Sequence, residues 1–262
     1  MPESTLSLTK LHYQQQVGIF LGWGGGSAYG DEAWTTDKQN KIDFDVASGL
    51  RRFYYCGFDW SFLKPYASLI FTSGETTLAL PDDFGGMEGR IAISDGSSGV
   101  YLPLDLYPPG KVQQAYSESP TQTGRPRLAS LRALKETAPN HGQRQEMFLF
   151  PTADADYTLT FAYYITPDYL LDTRMPYAYG GSEHSETILE GCLAVAEERR
   201  DSRKGVHNLA FENLLQASIK MDRRKRPQSM GYNGDNSDAI DRLVPARGQS
   251  WTPVTINGVE YT

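Results

Sequence analysis

Asp82 and Asp83 stand side by side in Pro81-Asp82-Asp83-Phe84-Gly85-Gly86, and Asp154 and Asp156 stand two apart, which are acidic pairs of the kind glycosidic or calcium chemistry uses. Such carboxylates work only when they converge on one bond or ion. Adjacent side chains at a turn need not converge, so turn and cap duty is the plainer reading of both pairs. The four histidines, His12, His141, His184 and His207, show no spacing that presents two of them to one metal. His184 and His207 could meet across two C-terminal helices, but near helix starts they suit solvated or capping roles. No serine occupies a Gly-x-Ser-x-Gly elbow. The run from Gly22 to Ser27 lacks the lysine-serine ending of a phosphate loop and follows a helix rather than a strand. No catalytic residue, cofactor-binding residue or metal ligand is therefore assigned; we expect a protein without cofactors that is not an enzyme.

The strongest local charge is basic: Lys220, Arg223, Arg224, Lys225 and Arg226 crowd the end of a helical pattern. Positive groups interact favourably with a helix C-terminus. Three duties suit the run: a solvated terminus, a salt-bridging contact with a neighbouring subunit, or contact with a nucleic-acid backbone. The chain as a whole is acidic, with a formal charge of −7, which favours solubility and weighs against nonspecific DNA binding. Cys56 and Cys192 are far apart and inside expected helices, so buried thiols are expected rather than a disulfide scaffold or a zinc cluster. There is no run of 18 or more apolar residues, and no basic stretch followed by an apolar one at the start; neither a membrane span nor a secretory signal is expected.

The elements around these residues fall into three zones. A chain of 262 residues can bury one large core or two modest ones, and compositional breaks near Trp60 and Pro176 favour two. Ser7 or Thr9 caps a first helix over 9–21, with Leu8, Leu11, Val17 and Leu21 as a loose apolar face. Gly24-Gly25-Gly26 follows as a flexible connector. Thr36 or Asp37 opens a second helix, in which Ile42, Val46, Leu50 and Phe53 recur at helical spacing up to a stop near Cys56-Gly57. The stretch from Phe58 to Pro65 is densely aromatic. Phe53, Trp60, Phe62, Leu63 and Phe84 are the candidates for packing an inserted domain against the helices, with ligand stacking as the other reading.

From Tyr66 the pattern becomes that of strands and turns. Strands are expected over 67–71 and 75–80, joined as a hairpin by Thr72-Ser73-Gly74, then a break at Pro81 to Gly86, and strands over 89–94 and 100–106. Pro108-Pro109-Gly110 marks a turn into an exposed polar loop reaching Pro126. Further strands are expected over 128–134, 145–150 and 156–164, with a polar stretch at 138–142; in the last strand Tyr157, Leu159, Phe161 and Tyr163 share one face. Helical periodicity then returns: Ser182 or Ser185 opens a helix to about Arg203 with Ile188, Leu189, Cys192, Leu193 and Ala196 inward. A fourth helix over 206–223 buries Ala210, Phe211, Leu214, Leu215, Ala217 or Ser218, and Met221.

The fold expected is α+β: a discontinuous α-helical bundle from residues 1–59 plus 176–231, an inserted antiparallel β domain at 60–175 (a small sandwich or partly open barrel), and an extended C-terminal arm at 232–262. Glycine and proline interrupt that last zone, yet it holds Leu243, Val244, Trp251, Val254, Ile256, Val259 and Tyr261. Such apolar content suits an arm laid against another surface, for which strand addition is one route.

Gly49-Leu50-Arg51-Arg52-Phe53-Tyr54-Tyr55 with Trp60-Ser61-Phe62-Leu63, then Leu80-Pro81-Asp82-Asp83-Phe84-Gly85-Gly86, resemble the head-to-tail adaptor (connector, or head completion) proteins of tailed bacteriophages, including the tail tubular protein A type. Pro167, Ala196-Glu197, Asp201, Phe211, Leu214-Leu215 and Asp222-Arg223-Arg224 through Gly231 extend the resemblance over about residues 8–232. It implies a helical bundle with an inserted β domain, assembled as a homo-oligomeric ring, typically of twelve copies, in the neck of the virion after assembly in the host cytoplasm. It further implies that the C-terminal arm, through the seven residues named above, holds the portal protein. The other face of the ring would receive the next neck, nozzle or tail protein, and double-stranded DNA would pass through the channel unread. On that reading Glu197, Glu198, Arg199, Arg200, Arg223 and Arg224 are candidates for subunit registry. The glycine run between the first two helices departs from the family pattern. The aromatic middle leaves a different class open, a carbohydrate- or receptor-binding structural module with an exposed platform of rings.

Overall fold

The computed structural model describes residues 3–94, 102–134, 144–171, 175–201 and 203–226, and the backbone of 254–256 and 259–261. It divides into a unit Met1–Arg223 and a unit Arg224–Thr262. The first is mixed α+β, with helices α1 (Lys10–Phe20), α2 (Thr36–Tyr54), α3 (Pro109–Glu118), α4 (Ser182–Asp201) and α5 (Val206–Lys225) and a nearly closed, barrel-like sheet of seven strands. In the second, β8 (Val254–Ile256) pairs antiparallel with β9 (Val259–Tyr261).

Two principal cores organise the first unit. One gathers Tyr13 and Val17 of α1, Ile42, Val46, Leu50 and Phe53 of α2, Trp60 and Leu63, then Ile188, Cys192 and Ala196 of α4 and Phe211 of α5. The expected four-four-three spacing of α2 is therefore its buried stripe, because a 3.6-residue period returns those positions to one face. Gly57, with φ of +85°, closes that end. The second core lies inside the sheet, built from Phe71, Phe84, Ile91, Ile93, Leu104, Met147, Leu149, Leu159 and Phe161.

The sheet runs β1 (Tyr66–Phe71), β7 (Tyr157–Ile165), β3 (Phe84–Ser94), β4 (Leu102–Leu106), β5 (Leu128–Ala133), β6 (Gln145–Phe150) and β2 (Thr77–Ala79), in that spatial order. Tyr157, Leu159, Phe161 and Tyr163 are all buried while the residues between them are half-buried, the alternation expected of a sheet with one face packed. All neighbouring pairs are antiparallel except β4 and β5, which run parallel through the crossover helix α3.

Several local expectations are corrected. The segments joined by Thr72-Ser73-Gly74 are not a hairpin: β1 pairs with β7, β2 with β6, and they lie at opposite ends of the strand order. The turn is instead drawn across to a distant loop, where the Gly74 N–H donates to the Ala153 carbonyl at 2.8 Å and the Ser73 N–H to Asp156 at 2.8 Å. Phe84-Gly85-Gly86 does not break the sheet; it begins β3, with a bulge between Phe84 and Gly86. Pro108-Pro109-Gly110 starts a helix rather than a loop, because proline at the first helical position has the right φ and no N–H to leave unpaired. Val112 on that helix packs with Phe148 and Phe150.

In α1, Val17 is buried and Leu8 and Leu21 pack against the same core as expected, but Leu11 is 42% exposed and Tyr13, Gln14 and Gln15 are buried as well. Thr9 caps it reciprocally with His12. Cys56 lies beyond the end of α2 and is half-buried; Cys192 is buried in α4, and both are free thiols. On α4, Leu189 is half-buried, and on α5 Phe211 and Ser218 are the buried members of the expected face while Ala217 is exposed. The glycine run is no slack connector. The Gly25 N–H donates to Asp31 at 2.7 Å, and the Trp34 indole N–H donates to the carbonyls of Trp23 and Gly24 at 3.3 and 3.2 Å. Residues 100, 101 and 138–142, and so the end of one expected strand and the polar stretch, lie outside the described residues.

Candidate functional site

The aromatic stretch after α2 is the densest set of ring contacts among the described residues. Trp60 stacks on Phe53 with ring centroids 4.6 Å apart, meets Phe58 edge-on at 4.8 Å and tilts against Phe62 at 5.3 Å. His184, at the start of α4, is buried against Phe53, Trp60 and Phe62. Phe53, Trp60 and Leu63 thus belong to the first core with Phe62 packed on it, while Phe84 belongs to the second and stacks on Tyr163 at 5.7 Å.

Polar ties reinforce this stretch from both sides. Asp222 of α5 is 1% exposed and accepts from the Ser61 hydroxyl and backbone N–H. The Lys64 ammonium donates to Asp59 at 2.6 Å and to Glu88 of β3 at 3.0 Å, and lies over the Tyr164 ring of β7 at 4.7 Å. Burial opposes the charge on Lys64, yet hydrogen bonds to Asp59, Tyr164 and Glu88 hold its pKa above the usual lysine value. The Tyr164 hydroxyl, then Lys64, holds the Glu88 carboxyl below the usual range.

The α2–α4 crossing is close because both helices present glycine. A Cβ on Gly49 would lie 2.6 Å from the Cα and N of Cys192, and one on Gly191 would lie 3.5 Å from the Gly49 carbonyl oxygen as well as 3.1 Å from the Phe211 ring of α5. Cys192 donates its S–H to the Val46 carbonyl at 3.7 Å, and burial raises its pKa, so the thiol stays protonated and inert.

Five of the six expected registry residues meet the chain itself. Glu197 accepts from the N–H groups of Val206 and His207, both at 3.1 Å, and so caps α5. Glu198 pairs with Arg52 at 2.7 Å, Arg199 pairs with Asp45 beside Ser48 and covers the Phe44 ring at 4.3 Å, and Arg200 donates to the Phe20 carbonyl at 2.9 Å. Arg223 lies 5.6 Å over the Phe58 ring, and Arg224 is exposed beside it in the last turns of α5. Beneath Arg199 and Arg200 runs an open groove of about 700 Å³ floored by Leu21, Trp23, Phe44 and Ala196.

The acidic pairs do not converge. Asp82 is paired with Arg144 at 3.0 Å and its side chain is 74% exposed, whereas Asp83 accepts from the Tyr163 hydroxyl at 3.1 Å. Asp154 accepts from the Tyr157 hydroxyl at 2.6 Å, while Asp156 holds the Ser73 N–H. His207 pairs with Glu190 at 2.8 Å rather than with His184. Among the described residues no three His, Cys, Asp or Glu side chains gather as metal ligands would, no helix is long and apolar enough to cross a membrane, and Tyr66 is the one strongly exposed aromatic side chain of the sheet. Of the arm residues, Leu243, Val244 and Trp251 lie outside the described residues; Val254 and Ile256 stand in β8 and Val259 and Tyr261 in β9.

Sequence reasoning gave Asp222, Lys64 and Glu88 no role as ties between elements. Asp222 had a signal, since it follows Phe211 and Ser218 on the buried stripe at spacings of seven and four, where a carboxylate demands a partner. Lys64 and Glu88 are 24 residues apart on different elements, and nothing local marks them as a pair.

Fold and contacts together define a protein of mixed α+β class, in which the carboxylates, cations and rings described above serve as ties between elements. Residues 32–233 match the family model of the SU10 adaptor protein, and the chain belongs to that family of phage head-to-tail adaptors, structural components of the virion neck. No curated protein matches the chain.

Proposed function

We propose that this protein is a head-to-tail adaptor that forms a closed ring between the portal and the next neck, nozzle or tail protein and lines the passage for double-stranded DNA. Membership of the adaptor family over residues 32–233 carries the reading. In it, residues 1–59 and 176–231 act as a discontinuous helical bundle forming the ring body, 60–175 as an inserted β domain offering a second contact surface, and 232–262 as the arm that holds the portal. Two separate cores, one fed by helices from both flanks of the sheet segment, support that division, as does the separate unit formed by Arg224–Thr262. Phe53, Trp60, Phe62, Leu63 and Phe84 serve the junction between bundle and insert.

A cyclic ring requires one patch to meet a different patch on the next subunit. Arg199, Arg200, Arg223 and Arg224 are exposed, and with Glu197 and Glu198 they provide charged registry, all but Arg224 while keeping the internal ties described above. Twelve copies is the stoichiometry the reading expects, assembled in the host cytoplasm.

Native mass measurement of the free protein and of its portal complex tests the ring directly. An added mass equal to one closed ring of subunits is expected, and an added mass that fits no closed ring overturns the reading. A variant ending at Gly231 tests the arm: it should stay folded but lose stable portal attachment, and unchanged affinity for portal rings would remove the arm from the mechanism.

A further inference from the structure

Gln122, Thr123, Arg125 and Arg127 form one wall of a pocket of about 310 Å³, with Phe150 and Pro151 among the residues across from them. Three backbone hydrogen bonds tie the two sides: the Gly124 N–H to the Thr152 carbonyl at 2.9 Å, the Thr152 N–H to the Gln122 carbonyl at 3.2 Å and the Arg127 N–H to the Phe150 carbonyl at 2.9 Å. Both arginines are therefore carried on backbone anchored to β6, and the pocket is formed before any ligand arrives.

Its chemistry is one-sided. No carboxylate lines the pocket, although the chain carries 32 acidic against 25 basic residues. Neither Arg125 nor Arg127 has an ion pair or side-chain hydrogen bond among the described residues, so both guanidiniums keep their donors for an incoming group.

We propose that this pocket is a receptor for a phosphate oxyanion, supplied as inorganic phosphate or as the phosphodiester of a nucleic acid. Arg125 and Arg127 are the charged donors, and the Gln122 amide and Thr123 hydroxyl the neutral ones. A carboxylate has two oxygens and is satisfied by a single guanidinium fork, whereas two guanidiniums with two further donors match the larger charge and greater oxygen count of phosphate. The proposal concerns a site on the sheet and does not depend on ring formation.

The test is a titration of the full chain, labelled with ¹⁵N, following the arginine Nε–H resonances. Inorganic phosphate should give a saturable shift of the Arg125 signal that sodium chloride at matched ionic strength does not give. Arg127→Gln should weaken binding about tenfold or more, the loss expected of one charge-assisted contact. Arg125→Lys keeps the positive charge but removes the guanidinium fork, and should weaken the phosphate response read at Arg127 while the thermal midpoint shows the variant folded. A short DNA duplex forms the second arm: the same shift and the same sensitivity to Arg127→Gln identify a phosphodiester as the source, and a response to inorganic phosphate alone identifies the free anion. The proposal is overturned if chloride reproduces the shift, if acetate or an acidic peptide competes as well as phosphate, if neither phosphate source gives saturation, or if both variants bind as the parent does.

Discussion

The carboxylate of Asp222 accepts a hydrogen bond from the Ser61 hydroxyl at 2.5 Å and another from the Ser61 backbone N–H at 3.2 Å, closing a separation of 161 residues. Ser61 opens the short 3₁₀ turn Ser61–Leu63 that leads from the aromatic stretch towards the first strand. Asp222 thus does for that turn what a local capping residue does for a helix, but from the far end of the chain. It fastens α5, whose outer face leaves Val206 and Leu209 exposed, to the segment where the two principal cores meet in sequence.

Asp222→Ala removes the acceptor of both a part-buried N–H and a hydroxyl, and should cost about 1–3 kcal/mol of unfolding free energy. Ser61→Ala, which removes only the hydroxyl, should cost less. Urea unfolding followed by tryptophan fluorescence separates the two, and equal losses would show that the backbone bond contributes nothing.

Gly49 and Cys192 set the approach of α2 to α4. Gly49→Ala should destabilise by about 1–3 kcal/mol through overpacking, even though alanine improves an exposed helix by about 1 kcal/mol. The contrast is Gly110→Ala near the start of α3, where an added Cβ meets nothing within 4 Å and φ is not positive. That change should stabilise by about 0.4–1 kcal/mol, chiefly by restricting the unfolded chain. The pair shares one chemistry and opposite signs, so an unfolding series in which both stabilise would refute close crossing.

Period and alternation made α2, β7 and most of α4 legible in the sequence, because one buried stripe or face dominates each of them. The pairing of strands was not legible, since β1 and β2 have short patterns and the turn between them owes its position to Ala153 and Asp156, some 80 residues away. Helix α3 was hidden by a Pro-Pro-Gly opening that marks turns and helix starts alike. The glycine run read as slack because glycine predicts backbone freedom, while the contacts that fix it come from Asp31 and Trp34 later in the chain. Among candidate functional residues, the aromatic stretch was visible as composition. The Lys64–Glu88 and Ser61–Asp222 ties were not, because each is a meeting of single residues from distant elements.

The Lys64 cluster should shape stability at both ends of the pH range. Glu88 has a folded pKa below its unfolded one, so its contribution is fully present above the unfolded value and is lost as pH falls through the folded value. Lys64 has a folded pKa above its unfolded one, so its contribution is present below about 10.4, the ordinary lysine value, and is lost as pH rises through the folded value. Glu88→Gln should therefore flatten the acid limb of a melting-temperature profile, and Lys64→Met should flatten the alkaline limb while also removing the partner of Asp59 and Glu88. Because Glu88 is 39% exposed, added salt should reduce its effect. An acid limb identical in the parent and Glu88→Gln would mean the cluster carries no linkage.

Trp34 holds the glycine turn by two means, its indole N–H on two carbonyls and its ring against neighbouring backbone. A Cβ on Gly18 would lie 2.6 Å from the ring, and one on Gly26 3.1 Å from it. Gly24 and Gly26 both have φ near +75°, so without the ring there is little to select this conformation from the many that glycine permits. Trp34→Ala should therefore accelerate amide exchange at Gly25, whose N–H is held by Asp31, while leaving the α2 and α4 core amides protected. Trp34→Phe should fall between, keeping ring contact and losing the two hydrogen bonds. Gly18→Ala should reproduce the alanine variant's exchange pattern from the opposite side by displacing the ring. If Gly25 exchanges at the same rate in all three variants, Asp31 alone fixes the turn and Trp34 only covers it.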